Sequence, residues 1–98
     1  MITAKLHKTP TGSSVLAMCD SNLLGKKIFD GKLFLSLSEH FYKGKEYSEE
    51  EIVHLIKSAD SFNLSGEESV RIGIKAGIID KKNVRYIKKI PHAVAVRG

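Results

Sequence analysis

Two sets of residues in this 98-residue chain are of types and spacings that could do chemistry. The first is small. Cys19-Asp20 sets a thiol beside a carboxylate, and His7, His40, His54 and His92 supply imidazoles. A thiol acts as nucleophile or metal ligand only as its thiolate, which at neutral pH needs a neighbouring base, cation or metal. No pair follows the CxxC or HxxxH spacing that brings ligands onto one turn or one helix face, so neither a metal nor any other cofactor is expected. Cys19 ends an apolar run, where cysteine usually serves as a small core residue. His7 falls on the polar side of the first strand and His54 at the margin of a helix, so both read as exposed imidazoles. His92, after Pro91, is the one that a turn could return toward Cys19 and Asp20. Cys19, Asp20 and His92 are therefore the candidate pocket of an enzyme or a ligand-binding protein.

The second set is cationic. Lys26-Lys27, Lys43 with Lys45, Lys81-Lys82 and Lys88-Lys89 are short basic pairs, joined near the end by Arg97, and thirteen of the sixteen cations are lysine. Lysine is a compact point charge, whereas bidentate reading of a base edge favours the arginine fork, so the bias points to backbone phosphates more than to sequence readout. Tyr42 and Tyr86 could stack on an exposed base. The leading expectation is a non-catalytic RNA-binding or ribosome-associated protein with ribosomal or transfer RNA as partner and no catalytic residue. The plain alternative is a lysine-rich surface that keeps the chain soluble.

Charge is segregated along the chain. Residues 1–45 carry net +4, residues 46–68 net −6 and residues 69–98 net +7, for +5 in all. Such a field suggests one polyanion-facing surface and one acidic surface, since charge speaks to association more than to fold. The acidic block coincides with two predicted helix starts, where carboxylates favour the positive end of the dipole. It could also dock a protein partner, which makes an adaptor the third reading. A DNA-reading helix-turn-helix fits poorly, because Glu67 and Glu68 would open the recognition helix against phosphates. Leu23-Leu24-Gly25-Lys26-Lys27 does not match GxxxxGK[ST], nor do Gly73 and Gly77 make GxGxxG, so nucleotide hydrolysis has no support.

The elements that must position these groups follow from periodicity. Ile2, Ala4 and Leu6 alternate with Thr3, Lys5 and His7, a turn follows at Thr9-Pro10-Thr11-Gly12-Ser13, and Val15 to Cys19 resume as a strand. Asp30-Gly31 between Lys26-Lys27-Ile28-Phe29 and Lys32-Leu33-Phe34-Leu35 predicts a second hairpin. Ser48 with Glu51 forms a capping box for a helix over 49–60, with Ile52, Leu55, Ile56 and Ala59 on one face. Ser65 with Glu68 repeats the device for a short second helix that Gly77 ends. Residues 61–66 then read as the connection between helices. Val84 to Ile90 reads as a strand, Pro91 as an interruption, and His92 to Arg97 as a last strand.

These elements predict a single α+β domain over residues 1–98, a curved, mostly antiparallel sheet with two helices on one side, in the order β-β-β-β-α-α-β-β. The chain has near the commonest size for one domain. No apolar run approaches the roughly 20 residues that span a bilayer, so no membrane association is expected. The first residues do not read as a signal peptide, and the one cysteine cannot form an internal disulfide, so a cytoplasmic location is expected.

Taken in order, several short stretches carry a resemblance. They are Thr9-Pro10-Thr11-Gly12, Cys19-Asp20 followed by Leu23-Leu24-Gly25-Lys26, Phe41-Tyr42-Lys43-Gly44, Asn63-Leu64 with Gly66-Glu67, Gly77-Ile78-Ile79 and Pro91-His92-Ala93. Together they resemble the archaeal domain-of-unknown-function family numbered four hundred and twenty-four, over essentially the whole chain. The resemblance implies a compact α+β domain in an archaeal cytoplasm and assigns no activity; the family's spread among archaea suggests information processing, with translation the expected setting. Within these stretches Asp20 reads as a turn or cap residue. Phe41 reads as core with Tyr42 at the edge, and Asn63 and Gly66 as a tight connection needing positive φ.

Overall fold

The computed structural model describes residues 1–97. Strands β1 (Ile2–Lys8) and β2 (Ser14–Asp20) form the first hairpin, followed by the short hairpin of β3 (Lys27–Asp30) and β4 (Leu33–Ser36). A one-turn helix α1 (Glu39–Tyr42), strand β5 (Lys45–Tyr47), helix α2 (Glu49–Ser58), strand β6 (Ser61–Ser65) and helix α3 (Glu67–Lys75) come next. Strands β7 (Arg85–Ile87) and β8 (Ile90–Val96) close the chain. Six strands make one mixed sheet in the order β5-β1-β2-β6-β8-β7, and β3 and β4 pair apart from it. The α+β class and the mostly antiparallel sheet stand as the sequence predicts.

The element order is richer than expected, and the main correction is β6. Ser61-Phe62-Asn63-Leu64-Ser65, expected as a link between helices, is a central strand, parallel to β2 and antiparallel to β8. Its five residues alternate strictly. Phe62 and Leu64 enter the core under the helices, while Ser61, Asn63 and Ser65 face the other side of the sheet. The α1 turn and β5 were also unanticipated, both being too short to show a period.

Each face of the sheet is finished by its own cluster. Ile2, Ala4, Leu16, Met18, Phe62, Leu64 and Ala93 meet Ile52 and Ile56 of α2 and Val70 and Ile72 of α3. On the opposite face Ala17, Cys19 and Ile87 pack with Leu35, Leu37 and Tyr42, so the β3–β4 hairpin and α1 cover part of it.

The capping box of α2 forms as predicted, with the Glu51 amide donating to Ser48 Oγ at 3.3 Å and the Ser48 amide donating to Glu51 Oε1 at 3.0 Å. That of α3 does not. Ser65 is in the strand, Gly66 begins the helix at φ 108°, and the cap comes from Asp20 on β2. Its carboxylate accepts from the Glu68 amide at 3.0 Å, the Ser69 amide at 2.8 Å and Ser69 Oγ at 2.9 Å. A Cβ at position 66 would overlap that carboxylate, so glycine is required by space as well as by φ. Asn63 does not share the positive φ expected of it.

The last two strands also differ from expectation. Residues 84–90 bend into a hairpin at Lys88-Lys89, and Pro91 lies inside β8, paired with Tyr86. Ile87 pairs with Ile90, leaving Lys88 and Lys89 alone in the turn with φ of 50° and 68°.

Candidate nucleic-acid interface

Alternation along a strand sends Asp20 to one face of the sheet and Cys19 to the other, so the three residues of the expected pocket do not share a cavity. Asp20 is committed to capping α3. Cys19 is fully buried, donates its thiol to the Asp20 carbonyl at 3.2 Å, and has its pKa pushed up to about 12, chiefly by burial and further by the Asp20 charge. Such a thiol carries almost no thiolate near neutral pH. His92 does share its face, because Cys19 pairs with Ser65 and Ser65 with His92. The intervening strand keeps thiol and imidazole about two strand spacings apart, roughly 10 Å.

What occupies that space is a polar network that the sequence did not announce. Ser65 Oγ lies 2.8 Å from His92 Nδ1 and 3.4 Å from the Tyr42 hydroxyl, which donates to Asn63 Oδ1. Burial, and to a lesser degree the Arg85 guanidinium, hold the His92 imidazole below its ordinary range, against a hydrogen bond to the Leu64 backbone that pulls the other way. Burial also raises the Tyr42 phenol, with Ser65 opposing it. Tyr42, at 2% exposure, therefore belongs to the interior, whereas Phe41 lies partly exposed and stacks on His7 at 4.8 Å; the expected roles of the two are reversed. With its ring enclosed, Tyr42 has no face to offer a base. Ser65 is equally enclosed, so the serine–histidine pair offers no nucleophile to a substrate.

The predicted cations divide between the two edges of the sheet. Lys45 on β5, with Lys43 just before it, stands at one edge, and Lys88 and Lys89 at the other, five strand spacings or about 24 Å away. One continuous surface across the sheet is thus not formed. Lys43 pairs with Glu39 at 3.9 Å and Lys82 with Asp80 at 3.7 Å, both well exposed and so worth little. Arg97 donates to the Ala59 carbonyl at 2.9 Å and to that of Ile56, and its guanidinium lies 5.3 Å from the centroid of the Phe62 ring. It closes the end of α2 with two of its five N–H donors. Tyr86, 63% exposed, borders a shallow cleft with Val70, Ile74 and Lys81 beside α3.

The remaining cations are without ion-pair partners, although Asp30 lies beside the Lys88 amide and Glu67 lines the clefts that Lys81 and Lys89 border. Lys26, Lys27, Lys32, Lys81, Arg85, Lys88 and Lys89 are exposed and, among the described residues, form no ion pair within 4 Å. The hairpin tip reaches the β7 edge, for the Lys88 amide donates to Asp30 Oδ2 at 3.3 Å. Lys32 sits in that tip. Phe29 and Phe34 pair across the hairpin, stacked at 4.6 Å, on the face turned away from Ile28 and Leu35 and so toward solvent. Sequence reasoning passed over Lys32 and Phe29. Asp30-Gly31 announces the hairpin, but a turn on those two residues would pair 29 with 32; the turn is Gly31-Lys32, and that one-residue shift is what makes residues 29 and 34 cross-strand neighbours.

Two of the seven carboxylates between residues 46 and 68 form ion pairs among the described residues. Glu49 on α2 takes Arg71 at 2.8 Å and Lys75 at 3.0 Å from α3, contacts that hold its carboxyl below the usual range, Arg71 first. Glu68 meets the N-terminal amine at 3.5 Å. Among the described residues no helix is long and apolar enough to cross a membrane.

Comparison with known proteins supports the fold and adds no activity. No curated protein matches the chain. A crystal structure of an uncharacterized conserved protein from Methanopyrus kandleri is similar, with a TM-score of 0.78 at 24% identity over 99% of this chain and 94% of that one. Residues 7–97 match the family described as "Protein of unknown function (DUF424)". The sequence resemblance and this match agree, and the chain belongs to the DUF424 family.

Proposed function

We propose that this protein binds the phosphate backbone of RNA, ribosomal or transfer RNA in the first instance, through the β7 edge and the adjoining hairpin tip, with Lys32, Lys81, Arg85, Lys88 and Lys89 as the contacts. The observation that carries the reading is the turn between β7 and β8. A two-residue turn with positive φ at both positions favours Asn-Gly, and a non-glycine residue held there costs on the order of 1–3 kcal/mol. Here both positions are lysine, at φ 50° and 68°. A chain that keeps two ammonium groups where asparagine and glycine are conformationally cheaper is using their charge. Neither group is neutralised by an ion pair among the described residues, so both are available to phosphate oxygens.

The turn itself supplies the test. Lys88→Asn with Lys89→Gly relaxes the backbone and removes two charges. The double variant should melt higher than the parent, by the equivalent of about 1 kcal/mol or more. It should also bind RNA more weakly, with a slope of log affinity against log salt shallower by about 1.4 for two lost single-strand contacts. A variant that is stabilised and binds RNA unchanged removes the turn from the interface.

A further inference from the structure

We infer that the Phe29–Phe34 pair is a stacking platform for unpaired bases, so that the RNA this protein takes is single-stranded or looped at the hairpin. This inference rests on the phosphate-binding reading and names its substrate class. The two rings are 60% and 52% exposed, stacked at 4.6 Å with 25° between their planes. They lie on the outward face of a hairpin whose other face, through Ile28 and Leu35, is already in the core. Their stacking on each other adds about 0.2–1 kcal/mol to the hairpin, and beyond that mutual contact no core packing calls for rings there. Threonine also suits a solvated strand face and exposes far less apolar surface.

The surroundings select the occupant. Lys27 shares the outward face two residues before Phe29, Lys32 stands in the turn beside the pair, and Asp30, the hairpin's one carboxylate, points to the other face, where it accepts from the Lys88 amide. An aromatic pair flanked by cations with no facing anion suits a polymer of flat rings strung on phosphates. An apolar peptide would leave the flanking ammonium groups without a counter-charge, and a second copy would compensate them only through its acidic block. A duplex hides its base faces within its own stack, so only an unpaired base can lie on these rings.

The experiment uses the full chain and three probes: oligouridylate, an RNA duplex with the same number of phosphates, and inorganic polyphosphate of equal charge. Phe29→Ala with Phe34→Ala should lower affinity for oligouridylate by about tenfold or more and leave affinity for polyphosphate within about twofold. Phe29→Tyr with Phe34→Tyr, which keeps the rings, should restore it. Phe29→Trp gives a reporter whose fluorescence should be quenched by oligouridylate and not by polyphosphate. Equal oligouridylate affinity in the parent and the alanine variant overturns the platform while leaving phosphate binding intact. A parent that self-associates through these rings, and is made monomeric by the alanine pair, overturns it in favour of a second copy. Failure of the parent to bind all three probes at low salt brings down the phosphate reading and the platform with it.

Discussion

The two faces of the six-stranded sheet are built on different principles. Under α2 and α3 the sheet presents Leu16, Met18, Phe62 and Leu64 to Ile52, Ile56, Val70 and Ile72, with the Asp20 carboxylate and the buried Ser69 hydroxyl confined to the start of α3. Under the hairpin and α1 it presents Cys19 and Ala17 beside Ser65, His92, Asn63 and the Tyr42 hydroxyl. A dry face gains stability in proportion to the apolar area it hides. A face threaded with hydrogen bonds gains little from each, yet loses heavily if one partner is removed, so it fixes an arrangement more than it adds to stability. In this protein the arrangement fixed is that of α1, which the Tyr42 hydroxyl ties to β6 and, through Ser65, to His92 of β8.

That contrast can be broken at its apolar side first. Phe62→Ala empties the centre of the helix-side core and removes the ring beneath Arg97, and should cost about 3–5 kcal/mol in denaturant unfolding. A loss below about 1.5 kcal/mol would mean that this face is not the main source of stability. On the other face Tyr42→Phe keeps the ring and deletes one hydroxyl, leaving Asn63 Oδ1 and Ser65 Oγ short of a partner. The expected cost is about 1–3 kcal/mol, and a neutral result would show the network to be wet or dispensable.

The smallest effect concerns protons. The His92 pKa is depressed below its ordinary 6.5 in the folded state, so below that pH the unfolded chain binds the extra proton first. The stability linked to neutral His92 is complete above 6.5 and is lost as pH falls toward the folded value, by at most about 1.4 kcal/mol per pH unit. Urea midpoints of the parent should fall between neutral pH and pH 5 more steeply than those of His92→Gln. Parallel curves would place His92 outside the network.

How much of this was legible in the sequence depended on whether the controlling contact was local. The Ser48–Glu51 box and the hairpin at Asp30-Gly31 are settled within a few residues; the box formed as read, and the hairpin formed with its turn one residue on, at Gly31-Lys32. Strand β6 carried a period of two, but over only five residues and between two helices, so its polar positions read as a link. They are polar because they face Tyr42 and His92, which the sequence places far away. Asp20 was legible as a cap and illegible as to what it caps, since the helix it serves lies some fifty residues on. The candidate site divided likewise. Paired lysines are visible in any listing of the chain, but their division between two edges is a consequence of strand order, and the outward Phe29–Phe34 pair emerges only once the register is known.

The most direct measurement is the affinity of the unmodified protein for ribosomal or transfer RNA as monovalent salt is raised from about 50 to 200 mM. If about four cations of the β7 edge and hairpin tip meet phosphates, affinity should fall roughly fiftyfold across that range. Affinity that is indifferent to salt, or no binding at the lowest concentration, would contradict the assignment.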